Sequence, residues 1–146
     1  MKSALIKNES PIFPIRTAAK MLGISIHSLR MYERKGLIIP FKSLGNQRLY
    51  SYNDIERILS IRKNIKERKI SINGIRAIAS MIPCYKIINC SEEDRKNCEA
   101  YHESNKPCWE YEHKNNICEN IDCRECDVYK NNYDFLNTKN MLKKLL

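Results

Sequence analysis

No cysteine occurs in the first 83 residues, and the whole chain of 146 holds only 4 glycines and 5 prolines. So few chain breakers, beside 42% hydrophobic residues, exclude a collagen-like repeat and disorder throughout. No apolar run approaches the ~18 residues that cross a bilayer, so a membrane-spanning protein is excluded. Near the start only Leu5 and Ile6 stand together as bulky apolar residues. That is far short of the ~7 to 15 in a signal-peptide core, and a cytoplasmic location is expected. A phosphate-cradling glycine loop, an acid pair and a nucleophile with its base and orienter are all missing, so the chain does not read as an enzyme.

What is present is divided. Residues 1–83 carry 16 Lys and Arg against 5 Asp and Glu, whereas residues 84–146 carry 10 against 12. All seven cysteines lie in the second stretch. Two regions with different work are implied, and the length suits one ordinary domain or two small ones.

In the basic region Thr17 reads as the N-cap of a helix of about two turns that Gly23 ends by adopting positive φ. Ser25 then caps a second helix over 26–35, stopped by Gly36. Two helices three residues apart make a helix-turn-helix candidate. Ile26, Leu29 and Tyr32 share one face, while His27, Ser28, Arg30 and Arg34 point elsewhere. Such groups suit the phosphates and base edges of a major groove, although a plain amphipathic surface helix would show the same stripe.

Residues 37–50 read as an irregular hairpin, with β-favouring residues either side of Gly45-Asn46 and Pro40 arguing against a central strand. Arg48 and Tyr50 share a face at period two, either to hold a nucleic-acid backbone or to pack as a pair beneath the hairpin. Ser51-Tyr52-Asn53-Asp54 has the form of a capping box, opening a helix with Ile55, Ile58, Leu59, Ile61 and Ile65 as core. Ser71 caps a fourth helix with Ile75, Ile78, Ala79 and Ile82 on one face, and Pro83 stops it. The isoleucines are expected in the core throughout.

Four motifs now stand in order: Ala18-Ala19-Lys20-Met21-Leu22-Gly23-Ile24, Leu29-Arg30-Met31-Tyr32-Glu33-Arg34-Lys35-Gly36-Leu37-Ile38, Gly45-Asn46-Gln47-Arg48-Leu49-Tyr50-Ser51 and Ile72-Asn73-Gly74-Ile75. In that order residues 13–82 resemble the winged-helix DNA-binding domain of the MerR family of bacterial transcription regulators, particularly the branch of heat-shock repressors and nitrogen regulators. The resemblance implies a homodimer on pseudo-palindromic promoter DNA, with the second helix in the major groove, Arg48 and Tyr50 on the wing, and RNA polymerase at the same promoter. Thr17, Ser25, Lys42 and Asn46 join the candidate contacts, as does Tyr32, which is left between core and phosphate ligand.

The second region reads Cys84-x5-Cys90-x7-Cys98-x9-Cys108-x9-Cys118-x4-Cys123-x2-Cys126. An odd count cannot pair completely within one chain, and a DNA-binding protein works in a reducing compartment, so free thiols or metal thiolates are expected. Cys123 and Cys126 form a chelating pair, but no second such pair completes a zinc ribbon. Cys90, Cys98, Cys108, Cys118, Cys123 and Cys126 are the candidate ligands of zinc or an iron–sulfur cluster. The set is similar to a cysteine-rich "CW" module appended to bacterial signalling proteins. Cys98-Glu99-Ala100-Tyr101 and Cys126-Asp127-Val128-Tyr129 echo each other, and Trp109 follows Cys108.

With few aliphatic residues between 84 and 130, a metal staple would supply what a core cannot. His102 and His113 could ligate but more simply would be solvated. Lys106, Lys114, Arg124 and Lys130 would favour thiolates or be ordinary surface charge.

The expected architecture is mainly α: a flexible N-terminus over 1–10, a winged helix-turn-helix over 11–83, an irregular cysteine-rich region over 84–130 and a short helix within 131–146. The expected function is a transcription regulator whose cysteines bind metal or a cluster and sense metal or redox state. The alternative is a heat-shock-repressor-like regulator in which the cysteine region is a zinc-stapled or partner-binding structural module.

Overall fold

The computed structural model describes residues 8–146. Of the flexible N-terminus expected over 1–10, residues 1–7 lie outside the described residues, and the Asn8 carbonyl accepts from the Asn53 N–H at 3.0 Å. The chain divides after Glu67 into two compact units.

The first unit holds β1 (Phe13–Pro14), α1 (Ile15–Leu22), α2 (Ile26–Arg34), β2 (Phe41–Lys42), β3 (Arg48–Tyr50) and α3 (Tyr52–Glu67). The strands form an antiparallel sheet in the order β1-β3-β2, with Phe13 opposite Tyr50 and Phe41 opposite Leu49. The expected hairpin is β2 with β3, and β2 starts just past Pro40 as an edge strand. β1 is an addition: two residues are too few for a pattern, and its partner lies far along the chain. It delivers the backbone into α1 two residues before Thr17. Pro14 therefore occupies the N-cap position without a side-chain bond, and Thr17 sits inside the helix.

Gly23 ends α1 at φ +67°, and the Ile24 N–H reaches back to the Ala19 carbonyl at 3.0 Å. This turn satisfies carbonyls that a helix end leaves orphaned. Ser25 caps α2 as expected, accepting from the Ser28 N–H at 3.0 Å. The capping box also forms: Ser51 N–H donates to Asp54 Oδ2 at 2.7 Å and Asp54 N–H to Ser51 Oγ at 3.1 Å.

The core of this unit gathers Ala18, Leu22, Leu29, Ile38, Tyr50 and Ile58, with α1 packed on α2 and α3. On α3 the buried stripe steps through Ile55, Ile58 and Ile61. Leu59, expected inside, is 44% exposed, one residue and so about 100° round the helix from Ile58.

The second unit contains α4 (Ile72–Ser80), α5 (Cys84–Ile87), α6 (Glu92–Lys96), α7 (Glu99–His102), α8 (Asp127–Lys130) and α9 (Phe135–Leu145). Single 3-10 turns lie at Cys108–Glu110, Ile117–Asn120 and Cys123–Glu125. Local caps hold these short pieces. Ser91 and Asp94 form a capping box on α6, Asn116 accepts from Cys118 N–H at 2.9 Å, and Asp122 accepts from Arg124 N–H at 3.0 Å.

Ser71 caps α4 by accepting from Gly74 N–H at 2.9 Å, and helix α4 stops at Ser80, before Pro83. Arg76 grips Glu110 through two nitrogens, with Nη2 at 3.0 Å from Oε1, and Ser80 Oγ donates to the Ser104 carbonyl at 2.8 Å. These bonds tie α4 to the residues that follow it, so the compact units divide at Glu67, within the 11–83 segment expected as the winged helix-turn-helix. Ile75 is buried but Ile78 is 38% exposed, contrary to the expectation that every isoleucine is core. Helical period names the face, whereas cover depends on what packs against it, and here Ile75 and, just past the helix end, Ile82 are covered while Ile78 between them is not. Among the described residues no helix is long and apolar enough to cross a membrane.

Candidate nucleic-acid interface and cysteine-lined cavity

On α2 the cap at Ser25 fixes the start, burial of Leu29 and Tyr32 fixes the rotation, and His27, Arg30 and Arg34 are consequently exposed. Ser28 is half-buried, its hydroxyl 3.0 Å from that of Ser25. Thr17, Lys42 and Asn46 are exposed, Asn46 in the hairpin turn at φ +62°. Arg16 and Lys20, one turn apart on α1, are exposed beside Thr17; their basic spacing was legible but they were not singled out.

Tyr32 is buried, and its hydroxyl accepts from Arg62 Nη1 at 3.2 Å. Tyr50 is wholly buried, its hydroxyl is unpartnered among the described residues, and burial pushes its pKa up to about 12. As placed, neither ring offers a face to a ligand, which supports the core reading of Tyr32 and the packing reading of Tyr50. Arg48 is clasped by Glu33, with Nε to Oε1 at 2.6 Å and Nη2 to Oε2 at 3.2 Å. That hydrogen bonding, then the Glu33 charge, raises the Arg48 pKa.

In the second unit all seven cysteines and His113 line one cavity of about 40 Å³. The six thiols expected as ligands are brought together, and Cys84 and His113 join them. His102 does not: it is exposed and stands edge-on to Tyr101, ring centres 5.2 Å apart. Every thiol is free and half-buried. Among the described residues no three donors converge tightly enough to hold one ion. They ring the wall instead.

The approaches are pairwise. Cys84 and Cys108 are hydrogen-bonded to each other, which holds the Cys84 pKa down at about 7 and drives that of Cys108 up. Burial pushes Cys118 up to about 12 and raises Cys98, Cys123 and Cys126. His113 Nε2 lies 3.0 Å from the Cys108 carbonyl, which can only accept, so Nε2 carries the ring proton. Nδ1, 3.9 Å from Cys98 Sγ, keeps its lone pair on the cavity side.

The remaining wall is aromatic and aliphatic, including Tyr85, Tyr101, Trp109 and Tyr129. Trp109 meets Tyr129 edge to face at 5.2 Å. The cations expected beside the thiolates are engaged elsewhere: Lys106 over the Tyr111 ring at 4.6 Å, Lys114 with Glu112 at 3.6 Å and Lys130 with Glu125 at 3.6 Å. Arg124, expected with them, is buried. A cation that does sit against a sulfur is Arg95, whose pKa is raised chiefly by its bond to Cys90 and whose guanidinium lies 5.6 Å and 5.8 Å from the Tyr85 and Tyr101 ring centres.

Compared with known proteins, residues 13–82 match the family described as "MerR HTH family regulatory protein". The chain is 31% identical over 75 residues to the HTH-type transcriptional regulator GlnR of Bacillus anthracis, covering 51% of this chain and 57% of that protein. It is 30% identical over 76 residues to a protein of Streptomyces coelicolor named as a heat shock protein, HspR, covering 52% and 50%. With the HTH-type transcriptional regulator TnrA of Bacillus subtilis it is 32% identical over 53 residues, covering 36% and 48%. The chain thus spans about half the length of the curated relatives it matches. The cavity cysteines lie beyond the segment that matches the family.

Proposed function

Because residues 13–82 belong to the MerR helix-turn-helix family, we propose that this chain is a cytoplasmic transcription regulator that binds promoter DNA as a homodimer, with RNA polymerase as a second partner at the promoter. The observation that carries the reading is the exposure of His27, Arg30 and Arg34 along a helix whose opposite face is buried. Such a helix can enter a major groove, while Arg16, Lys20, Lys42 and Asn46 offer donors to the backbone on either side. Arg48 reaches the duplex only if it is shared with or released by Glu33.

The cysteine cavity binds metal or a cluster and reports its state to the DNA-binding unit. A signal that alters how two DNA-binding halves are placed alters the deformation they impose on the duplex, worth about 1 to 6 kcal/mol. A second reading, in which the metal only staples the fold, is favoured by the one-turn helices α5, α7 and α8, which are too short to stand alone. Titrating the full chain against the duplex upstream of its own gene, at several salt concentrations, tests the first claim. Association that weakens steeply with salt is expected, and no salt-sensitive association with any promoter duplex overturns it. Footprints with and without oxidant separate the readings: a changed footprint supports sensing, and a footprint unchanged until the second unit unfolds supports the staple.

A further inference from the structure

We propose that Cys84 and Cys108 close into a reversible disulfide by exchange with a low-molecular-weight disulfide such as oxidised glutathione. The inference goes beyond the metal reading and does not depend on it, since it needs two sulfurs in contact and no converging set of donors.

Contact comes first. Cys84 and Cys108 are hydrogen-bonded sulfur to sulfur, and both are free, half-buried thiols. The other cysteines are engaged differently. Cys90 bonds Arg95, Cys98 stands 3.9 Å from His113 Nδ1, and burial rather than a thiol partner governs Cys118, Cys123 and Cys126. Among the described residues no three donors converge as an ion requires, whereas a disulfide asks for two.

Position comes second. Cys84 opens α5 and Cys108 opens a 3-10 turn, with α6 and α7 on the chain between them. A bond there closes a loop over residues 84–108, which restricts the unfolded chain and so favours the ordered unit. Cys123 and Cys126 stand at one turn and would close a loop too short to gain as much.

The chemistry balances in two exchanges. The Cys84 thiolate attacks one sulfur of the small disulfide, that S–S bond breaks, and the first small thiolate leaves with the electron pair and takes a proton from solvent. Cys84 is the attacking group because the bond from Cys108 favours its thiolate, although reversed roles would give the same product. Once Cys84 carries the small thiol its charge is gone, and so is the bond that held the Cys108 proton. Cys108 then releases that proton to solvent and attacks Cys84 Sγ, expelling the second small thiolate, which is protonated in turn. Two protein thiols are oxidised and one small disulfide is reduced to two thiols. A metal held by these sulfurs has to leave before the bond forms, because the same lone pairs make both.

The test is thiol mapping of the reduced full chain held at graded ratios of oxidised to reduced glutathione, with and without a chelator. Free thiols are alkylated at each ratio, and linked peptides are identified by mass. The first linked pair to accumulate is expected to join Cys84 to Cys108 and to disappear when the ratio is returned to reducing. Cys108→Ser is expected to lose that pair and to stop at one glutathione on Cys84. Mapping of the parent chain decides the matter even if the variant misfolds. A first bond between any other pair, Cys123 with Cys126 included, overturns the assignment. So does accumulation of mixed disulfides alone, or no oxidation with the chelator present. Metal content of the same samples tests the metal reading separately: a chain that forms this disulfide and never holds metal loses that reading and keeps this one.

Discussion

Arg30 and Arg48 carry the same guanidinium, but their neighbours give them different work. Arg30 is exposed on α2 with no acid clasping it in the hydrogen bonds described, whereas Arg48 is held by both oxygens of Glu33. A half-exposed pair of this kind is worth at most about 1 kcal/mol, yet it orients the side chain fully. Arg30→Ala is therefore expected to weaken promoter binding and to lower the slope of log affinity against log salt by about 1, while stability moves by less than about 0.5 kcal/mol. Binding isotherms at graded salt beside a denaturant titration check both halves of that statement. Tyr50 presents the opposite case, a hydroxyl buried without a partner among the described residues. Deleting an unsatisfied group removes a desolvation cost of about 1 to 3 kcal/mol, so Tyr50→Phe should match or exceed the parent in stability and keep its DNA affinity. A fall in affinity at unchanged stability would restore Tyr50 to the interface. Period two had shown that residues 48 and 50 share a face. It carries no information on which side of the ribbon the core lies, and that was decided by β1, whose two residues leave no pattern to read.

At the scale of elements the caps were the most legible feature, because a cap is a local bond between residues three apart. Ser25, Ser71 and the Ser51–Asp54 box all close as their sequences suggest. Thr17 has the same chemistry but lies inside α1, since strand pairing at Phe13 sets the entry to that helix. Gly23 isolates the energetics of a helix end. Its φ is +67°, and a Cβ there would meet nothing within 4 Å. Gly23→Ala should thus cost only the left-handed backbone penalty of about 1 to 2 kcal/mol, measurable as a lower denaturant midpoint at unchanged slope. A larger loss would mean that the turn itself is crowded. In the second unit the sequence echo becomes a structural one. Cys98 and Cys126 each stand at the N-cap of a one-turn helix, and in each the amides two and three residues on favour the thiolate: Ala100 and Tyr101 in one, Val128 and Tyr129 in the other. The helices themselves were not legible, because four residues give no period. Nor was the placement of His113 on the cavity wall, because a lone histidine carries no spacing, and only its bond to the Cys108 carbonyl shows which nitrogen carries the proton.

At the scale of the whole molecule the division of charge and sulfur along the sequence corresponds to a division of labour. One unit buries aliphatic side chains and exposes basic ones, while the other surrounds a cavity with thiols and rings. If the cavity binds metal as proposed, the second unit depends on that metal for order, since binding free energy becomes folding free energy. The chain supplies its own reporter of that dependence. Trp109 is the sole tryptophan and forms part of the cavity wall, edge-on to Tyr129 at 5.2 Å. Chelation of the bound metal from the reduced full chain should therefore raise and red-shift Trp109 emission, as a quenching group leaves and water enters. Somewhat under half of the far-ultraviolet helical signal should persist in any case, because α1, α2 and α3 belong to the unit that holds none of the cavity cysteines. DNA affinity measured on the same sample then divides sensing from stapling. A shift in affinity that follows the emission change step for step places the cavity upstream of DNA binding. Affinity that stays constant while emission rises makes the metal a fold element alone. Emission that does not change after the metal has demonstrably gone would show that the group was never held against Trp109, and the ligand site would have to be sought elsewhere in the chain.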